Sequence, residues 1–150
     1  MAVITEIAPN IYRISLFAQW ANLQFNHFLA NDDEPLLFHT GLRGMHAEIC
    51  EAVSKLIKLS ELRHISFSHF ESDECGSLNE WLAAAPAADV ICSQVGALVN
   101  VNDFIGRESR ALTDGGPFRT GKCRFRSTQT RQKLNAVVKT ALRNSFHERE

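Results

Sequence analysis

One short segment of this chain concentrates side chains that could do metal chemistry. Residues 65–76 read ISFSHFESDECG, and the imidazole of His69 is followed closely by three carboxylates, on Glu71, Asp73 and Glu74. Like charges this close repel one another unless a cation, a proton or solvent compensates them. The segment therefore indicates a metal site. The alternative is a solvated acidic loop in which His69 only ends a strand.

The ligand types narrow the choice of metal. Imidazole and carboxylate groups suit iron, manganese and zinc, and a carboxylate-rich set favours iron or manganese over zinc. Thiolate sites and redox dithiols usually show a Cys-x-x-Cys pair, which is absent from this sequence. We interpret the four cysteines as reduced: Cys50, Cys75, Cys92 and Cys123. Iron is the expected metal, and zinc or manganese is the alternative.

The flanking residues predict how this segment is positioned. Apolar and polar residues alternate from residue 65 onward, which predicts a strand that ends at His69. After the carboxylates, Gly76 suits a tight turn, Ser77 is a helix N-cap, and Glu80 stands at the capping-box position. A strand, a ligand loop and a capped helix would hold the site on a scaffold.

The segment 69–78 resembles the metal-binding loop of the metallo-β-lactamase superfamily. Its His-x-Glu-x-Asp pattern is similar to that of flavodiiron proteins and related oxygen-binding diiron domains, whereas the superfamily's hydrolases usually show His-x-His-x-Asp-His. The resemblance implies that His69 and Glu71 serve one iron and that Asp73 serves the other. Glu74 stands where many relatives have a histidine, so the resemblance assigns it no ligand role.

The resemblance implies a function in O2 or NO reduction or in O2 sensing. Electrons would come from a partner flavoprotein or rubredoxin-like protein, because this chain has no Gly-rich flavin-binding loop. A metallohydrolase acting on an ester or a lactam is the second hypothesis, and Glu71 in place of a histidine counts against it. A truncated, catalytically silent chain is the third.

The fold class predicted for the whole chain is α/β, with β-hairpins, a mixed sheet and covering helices. One hairpin is expected from residues 3–7 and 11–16, and its sequence resembles the opening hairpin of metallo-β-lactamase-type domains. A second hairpin is expected from residues 25–30 and 35–39 around a polar turn. The resemblance implies the N-terminal half of an αββα sandwich.

Helical spacing of apolar residues follows these hairpins. It predicts an amphipathic helix over 44–58 and a shorter one over 78–85 that Pro86 stops. A strand is expected at 89–93. A further helix would turn four apolar residues inward: Ala97, Leu98, Val101 and Phe104. Strands that alternate with helices imply a largely parallel inner sheet.

Three of the histidines outside the ligand segment could bear on the site. His39 opens a His-Thr-Gly triplet where the superfamily usually carries Asp-Thr-Gly, and that aspartate generally supports the metal site from behind. Whether His39 does the same is left open by the sequence. His27 on a strand and His46 at a helix start are interpreted as structural histidines, since these outnumber ligands.

Charge divides the chain into two segments. Residues 1–118 hold seven Lys or Arg against fifteen Asp or Glu, a balance of −8, and residues 119–150 hold nine against two, a balance of +7. Such asymmetry can mark a nucleic-acid-binding arm. We prefer a half domain over 1–126 and a divergent basic tail over 127–150. Apolar residues of that tail could form a helix: Leu134, Val137, Val138, Ala141 and Leu142.

The resemblance ends at Arg126. Beyond it, the family's next metal histidine, bridging aspartate and final histidine have no matching position. We therefore expect an incomplete site and weak metal binding. An early stop or a frame shift would explain the tail, and a genuine short form that completes its sheet as a homodimer is the alternative. Without a leader or a spanning apolar run, the expected location is the cytoplasm.

Overall fold

A computed structural model of the chain describes residues 1–129 and 136–140, with side chains described up to residue 127. Seven strands form one mixed sheet in chain order. The strands are β1 Val3–Ala8, β2 Ile11–Ala18, β3 Leu23–Ala30, β4 Leu36–Phe38, β5 His64–Ser66, β6 Asp89–Ser93 and β7 Arg110–Leu112. The first four pair antiparallel and the last four pair parallel. The predicted α/β class, both hairpins and the parallel inner sheet are confirmed.

The centre of this sheet is short and fully enclosed. β5 pairs with β4 in the register Leu37↔Ile65 and Phe38↔Ser66, so the two strands end level with each other. All three residues of β5 are buried, the serine as well as the isoleucine, because both faces of the strand are covered. The strand therefore ends at Ser66. The prediction that it ends at His69 is wrong, and the histidine lies in the loop that follows.

The helices lie after the strands that they were predicted to follow, with different lengths. The helix predicted over 44–58 is a 3-10 turn, Arg43–Met45, followed by α1, His46–Ser54. Another 3-10 turn, Leu59–Glu61, leads into β5. α2, Ser72–Cys75, is a single turn inside the ligand segment, and α3 is Leu78–Ala84.

The segment after β6 departs from the predicted regular helix. It consists of α4, Gln94–Gly96, a π-helical turn, Ala97–Val101, and α5, Asn102–Phe104. The π turn shifts the helical period, so Ala97 and Val101 are buried while Leu98 is 83% exposed. The expectation that Leu98 and Phe104 face inward is wrong, since Phe104 is exposed as well.

A large core lies between the main sheet and the helices. Its members that are shielded completely from solvent are Ile14, Leu29, Leu37, Ile49, Val53, Leu62, Ile65, Leu78, Trp81, Ala85, Ala88, Val90 and Val101. A smaller cluster joins Leu36 and Ile91 of the main sheet to Phe118 and Phe125. These two phenylalanines belong to a second, antiparallel sheet of three strands: β8 Pro117–Arg119, β9 Arg124–Gln129 and β10 Ala136–Thr140. Helices and sheets thus pack in layers.

The tail contributes a strand where a helix was considered. β10 pairs antiparallel with β9, for example Val138↔Ser127, so the helical expectation is wrong for these five residues. Their β-branched side chains favour a strand. The other predicted helix positions, Leu134, Ala141 and Leu142, lie outside the described residues. In the described part of the chain, no helix is long and apolar enough to cross a membrane.

Candidate metal site

The predicted site lies where two neighbouring parallel strands end. The chain leaves β5 at Ser66, and the Ser66 carbonyl oxygen accepts a hydrogen bond from the backbone N–H of His39, at 2.8 Å, just beyond β4. Loops that leave the carboxyl ends of adjacent parallel strands meet at one edge of a sheet, the usual place for a ligand site in an α/β fold. This arrangement brings residues 39–41 against the loop that follows β5.

We call residues 69–74 the ligand loop. At its end, the backbone N–H groups of Glu74 and Cys75 both donate to the Glu71 carbonyl oxygen at 2.9 Å, which closes the turn of α2. Gly76 follows with an ordinary right-handed backbone, φ −63°. A Cβ at Gly76 would collide with the Ser72 carbonyl oxygen. The glycine is needed for this close approach, and the predicted tight turn is present.

Backbone hydrogen bonds dock the ligand loop onto the end of β4. The Thr40 N–H donates to the Glu74 carbonyl oxygen at 2.7 Å, and the Ser77 N–H donates to the Gly41 carbonyl oxygen at 3.0 Å. The Ser77 hydroxyl donates to the Thr40 carbonyl oxygen, and Glu80 forms an ion pair with Arg43. The helix begins after Ser77 as predicted, but the capping box does not form because both side chains bind the neighbouring segment.

His27 and Gly41 pack directly behind this junction. Gly41 has φ +80°, and a Cβ there would lie 2.7 Å from Cε1 of the fully buried His27. The His27 ring is within hydrogen-bond distance of the His39 carbonyl oxygen, 3.2 Å from Nδ1. Burial lowers the pKa of His27 to about 4, so the ring is neutral at pH 7. His27 is thus a structural histidine behind the site, as predicted.

The three predicted ligands all lie on the ligand loop. His69 has a partly exposed side chain, and Glu71 and Asp73 are exposed. Burial, together with the charges of Glu74, Asp73 and Glu71, raises the pKa of the Cys75 thiol to about 12. Cys75 is therefore a protonated thiol, and its Sγ donates to the Glu71 carbonyl oxygen.

The donor types fit iron, manganese or zinc, but the donors do not form a complete cage. Over residues 1–129 and 136–140, no group of three or more His, Cys, Asp or Glu side chains is arranged to hold a metal ion. His69, Glu71 and Asp73 can each offer the lone pairs that these metals bind. A dinuclear centre needs more protein ligands than these three supply.

Glu74 occupies a more central position than the sequence suggested. Its carboxylate is 15% exposed and accepts from the Ser68 hydroxyl, at 2.9 Å to Oε1 and 2.8 Å to Oε2, and from the His69 backbone N–H. His69 Nδ1 lies 3.3 Å from Oε1. The sequence signal for this contact is Ser68, the residue immediately before His69. The alternation of apolar and polar residues instead predicted that Ser68 lies on one face of a strand.

His39 completes this cluster from the β4 side. Its Nε2 lies 2.9 Å from Ser68 Oγ and 3.5 Å from Glu74 Oε2. The backbone of His39 is left-handed, φ +67°, a conformation that non-glycine residues seldom adopt outside functional or tightly held positions. His39 therefore faces the ligand loop, as the aspartate of the superfamily was expected to do.

The electrostatics of this pair favour an ionised carboxylate. Burial by itself would raise the pKa of Glu74, but the charge of His39 and the hydrogen bonds from His69 and Ser68 outweigh it, so the pKa lies below its usual value. Burial lowers the pKa of His39, and the charge of Glu74 opposes this only in part. The hydrogen bonds to Glu74 persist when His39 is neutral. Glu74 is thus a carboxylate at neutral pH.

The fold is that of a metallo-β-lactamase-like domain, since the mixed sheet and its helices match solved structures of that class. The chain belongs to the ODP family of β-lactamase-like domains: the family described as "ODP family beta lactamase" matches residues 23–130. No curated protein sequence matches the chain.

The similar solved structures include flavodiiron proteins. A mutant flavo di-iron protein from Thermotoga maritima superposes with a TM-score of 0.78 at 20% identity, over 93% of this chain and 40% of the other. Rubredoxin oxygen:oxidoreductase from Desulfovibrio gigas gives 0.81 at 17% identity, over 93% and 39%. A mutant metallo-β-lactamase from Cronobacter sakazakii gives 0.70 at 17% identity, over 90% and 57%. The chain thus spans about 40% of the length of the first two.

Proposed function

We propose that this chain binds metal through His69, Glu71 and Asp73, as part of a centre of the oxygen-binding diiron type. One observation carries the proposal: an imidazole and two carboxylates lie on the loop that leaves the carboxyl end of β5, in a chain of the ODP family. In this proposal His69 and Glu71 serve one metal ion and Asp73 serves the other.

Iron is the proposed metal, with zinc or manganese as the alternative, because the donor set is rich in carboxylates. Bound iron would supply the redox chemistry for O2 or NO as the small-molecule ligand. Two of the similar structures support this choice, since one is named a flavo di-iron protein and the other a rubredoxin oxygen:oxidoreductase. We propose a separate flavoprotein or rubredoxin-like protein as the electron donor.

The proposed binding is weak. Each of two metal ions would receive one or two protein ligands from His69, Glu71 and Asp73, which is too few for tight binding of a dinuclear centre. A homodimer in which a second copy supplies ligands would bind more tightly. The two cases differ in how metal content depends on protein concentration, because only the dimer gains ligands on association.

The test is to load the full chain with ferrous iron under anaerobic conditions and to measure iron after gel filtration. We expect substoichiometric iron, reduced further by His69→Ala and by Asp73→Asn. Asp103→Asn, on α5, is the matched control and should leave the iron content unchanged. Close to two tightly held iron atoms per monomeric chain would contradict the weak-binding proposal, and no difference between the variants would contradict the ligand assignment.

A metallohydrolase is the second candidate, favoured by the similarity to the metallo-β-lactamase from Cronobacter sakazakii. Oxygen or NO consumption by the iron-loaded chain, with a chemical reductant present, would support the diiron proposal. Turnover of an ester or a lactam by the zinc-loaded chain would support the hydrolase instead. A chain that binds metal and does neither would support a catalytically silent domain.

A further inference from the structure

The side chain of Glu74 is held in place by two hydrogen-bond donors, Ser68 and the His69 backbone, and contacts a third, His69 Nδ1. The Ser68 hydroxyl reaches both of its oxygens, at 2.9 and 2.8 Å, and the His69 backbone N–H donates to Oε2. The backbone of Glu74 is fixed as well, since its carbonyl oxygen accepts from the Thr40 N–H. An ionised carboxylate offers about four lone-pair sites, so few remain for a metal ion. Glu74 is thus poorly placed to be a direct ligand.

The hydrogen-bond chain behind Glu74 has a defined direction. Ser68 has one hydroxyl proton, and the carboxylate of Glu74 can only accept, so that proton goes to Glu74. His39 Nε2, 2.9 Å from Ser68 Oγ, then donates its N–H to the serine oxygen. The left-handed backbone of His39 keeps its ring on this side of β4. His39 and Ser68 therefore fix the carboxylate from the strand side.

This arrangement determines which nitrogen of His69 can bind a metal. Nδ1 lies 3.3 Å from Glu74 Oε1, and a carboxylate accepts only from an N–H. A proton on Nδ1 leaves the lone pair of a neutral ring on Nε2. Histidines that bind metals commonly donate their second N–H to a carboxylate in this way, which fixes the tautomer and the orientation of the ring.

We propose that Glu74 is a positioning residue that holds His69 in the Nδ1–H tautomer and so presents Nε2 as the donor atom. The claim that Nε2 binds a metal rests on the proposed function. The claim that His69 carries its proton on Nδ1 does not. Ser68 and His39 support Glu74 and do not touch the metal. Glu74 thus serves the site through His69, without being a ligand itself.

The first experiment uses the metal-free full chain. Long-range ¹H–¹⁵N NMR on uniformly labelled protein reports the tautomer of each ring, and the His69→Gln variant assigns the His69 signals. We expect the Nδ1–H tautomer in the wild type and a shift towards Nε2–H in Glu74→Ala. Glu74→Gln keeps an acceptor oxygen and should retain the Nδ1–H form. The same tautomer in the wild type and Glu74→Ala, or Nε2–H in the wild type, would overturn the proposal.

The second experiment measures zinc affinity by competition with a chromophoric chelator. Loss of a carboxylate that orients a ligating histidine costs about 10–100-fold in metal affinity. We expect a loss of this size for Glu74→Ala, a smaller loss for Ser68→Ala and for Glu74→Gln, and a larger loss for His69→Ala. A loss in Glu74→Gln as large as that in His69→Ala would make Glu74 a ligand and overturn the positioning role.

The two experiments separate the two proposals. If the wild-type chain binds no zinc, iron or manganese, the proposed function fails, and the tautomer measurement alone decides the role of Glu74. If Glu74→Ala does not fold, as circular dichroism would show, Ser68→Ala replaces it in both experiments. It removes the hydroxyl that holds both carboxylate oxygens, and an unchanged tautomer and unchanged zinc affinity there would overturn the proposal.

Discussion

Two carboxylates in this molecule each accept from a hydroxyl and from a backbone N–H, but only one of them also contacts an imidazole. Asp32 accepts from the Thr120 hydroxyl at 3.0 Å and from the Cys123 backbone N–H at 2.8 Å, across 88 and 91 residues of sequence. Glu74 accepts from the hydroxyl of Ser68, six positions away, and contacts the imidazole of His69, five positions away. The long-range hydrogen bonds to Asp32 fix that carboxylate as part of the fold. The imidazole of His69, whose second nitrogen could bind a metal, links Glu74 to the proposed site.

The Asp32 contact clamps the second sheet onto the first. Gly121, in the turn between β8 and β9, has φ +117°, and a Cβ there would lie 2.7 Å from Asp33 Oδ2. The turn therefore approaches the β3–β4 connection closely, and only a glycine allows this approach. The ligand loop, in contrast, is docked on the end of β4 within one sheet. The comparison predicts that changes near the clamp alter stability only, whereas changes at the ligand loop alter metal binding.

The largest expected effect is at Gly41, behind the site. Gly41→Ala would place a methyl group 2.7 Å from His27 Cε1 and 2.9 Å from Ile49 Cδ1, at a backbone φ of +80°. We expect a loss of about 3 kcal/mol in the free energy of unfolding, measured in urea. Gly44→Ala is the matched control, because nothing lies within 4 Å of its Cβ position. Equal unfolding midpoints for the two variants would contradict the packing described here.

The next effect is the acid sensitivity that comes from His27. Its folded pKa of about 4 lies below the ordinary 6.5, so the unfolded chain binds a proton more readily than the folded chain between these values. The contribution of His27 to stability is therefore complete above about pH 6.5 and is lost as the pH falls through 4. We expect it to approach about 3 kcal/mol.

Urea unfolding of the wild type and of His27→Leu between pH 7 and pH 4 tests this expectation. The variant should show a flatter dependence on pH, because leucine does not titrate. Parallel curves for the two proteins would contradict the buried neutral imidazole.

Asp32→Asn tests the clamp, with a smaller effect. Burial alone would raise the pKa of Asp32, but hydrogen bonds from the backbone of Cys123, Asp33 and Lys122 and from the Thr120 hydroxyl lower it to about 2. The folded pKa is below the ordinary 3.8, so the stabilisation is present above that pH and is lost as the pH falls through 2. We expect a loss of about 1 kcal/mol at pH 7, since the side chain is partly exposed.

The acid dependence below pH 4 should also weaken in Asp32→Asn. Asp33→Asn, in the exposed neighbouring position, is the control. It should change the free energy of unfolding by no more than about 0.5 kcal/mol, both at pH 7 and below pH 4. If Asp33→Asn destabilised the chain as much as Asp32→Asn, the hydrogen bonds to Thr120 and Cys123 would not be the source of the effect.

The sequence predicted the scaffold because hydrophobic periodicity is a local signal. The hairpins and the parallel strands could be recognised from apolar runs, as at residues 89–93, where the predicted and observed strands coincide. The lengths of helices were harder to predict, because no particular residue type signals a π turn such as that at Ala97–Val101. The strand at 136–140 was missed because spacing favoured a helix while β-branched residues favoured the observed strand.

The ligand segment could also be found from sequence, but its internal contacts could not. Residues 39 and 74 are far apart in the chain and meet only because β4 and β5 are paired. For the same reason the Ser77 hydroxyl binds the Thr40 carbonyl oxygen and does not cap its own helix. A local capping pattern was overridden by a partner on a neighbouring segment, which no local rule predicts.

The most direct test of the comparison is the effect of metal on thermal unfolding. Wild type, Asp73→Asn and Asp32→Asn are unfolded with and without ferrous iron under anaerobic conditions. A ligand that binds only the folded chain stabilises it by about 0.4 kcal/mol when its concentration equals Kd. We expect iron to raise the Tm of the wild type and of Asp32→Asn equally and to raise that of Asp73→Asn less, because Asp73→Asn leaves only His69 and Glu71 as ligands. An equal rise in all three proteins, or no rise in the wild type, would contradict a metal site at the ligand loop.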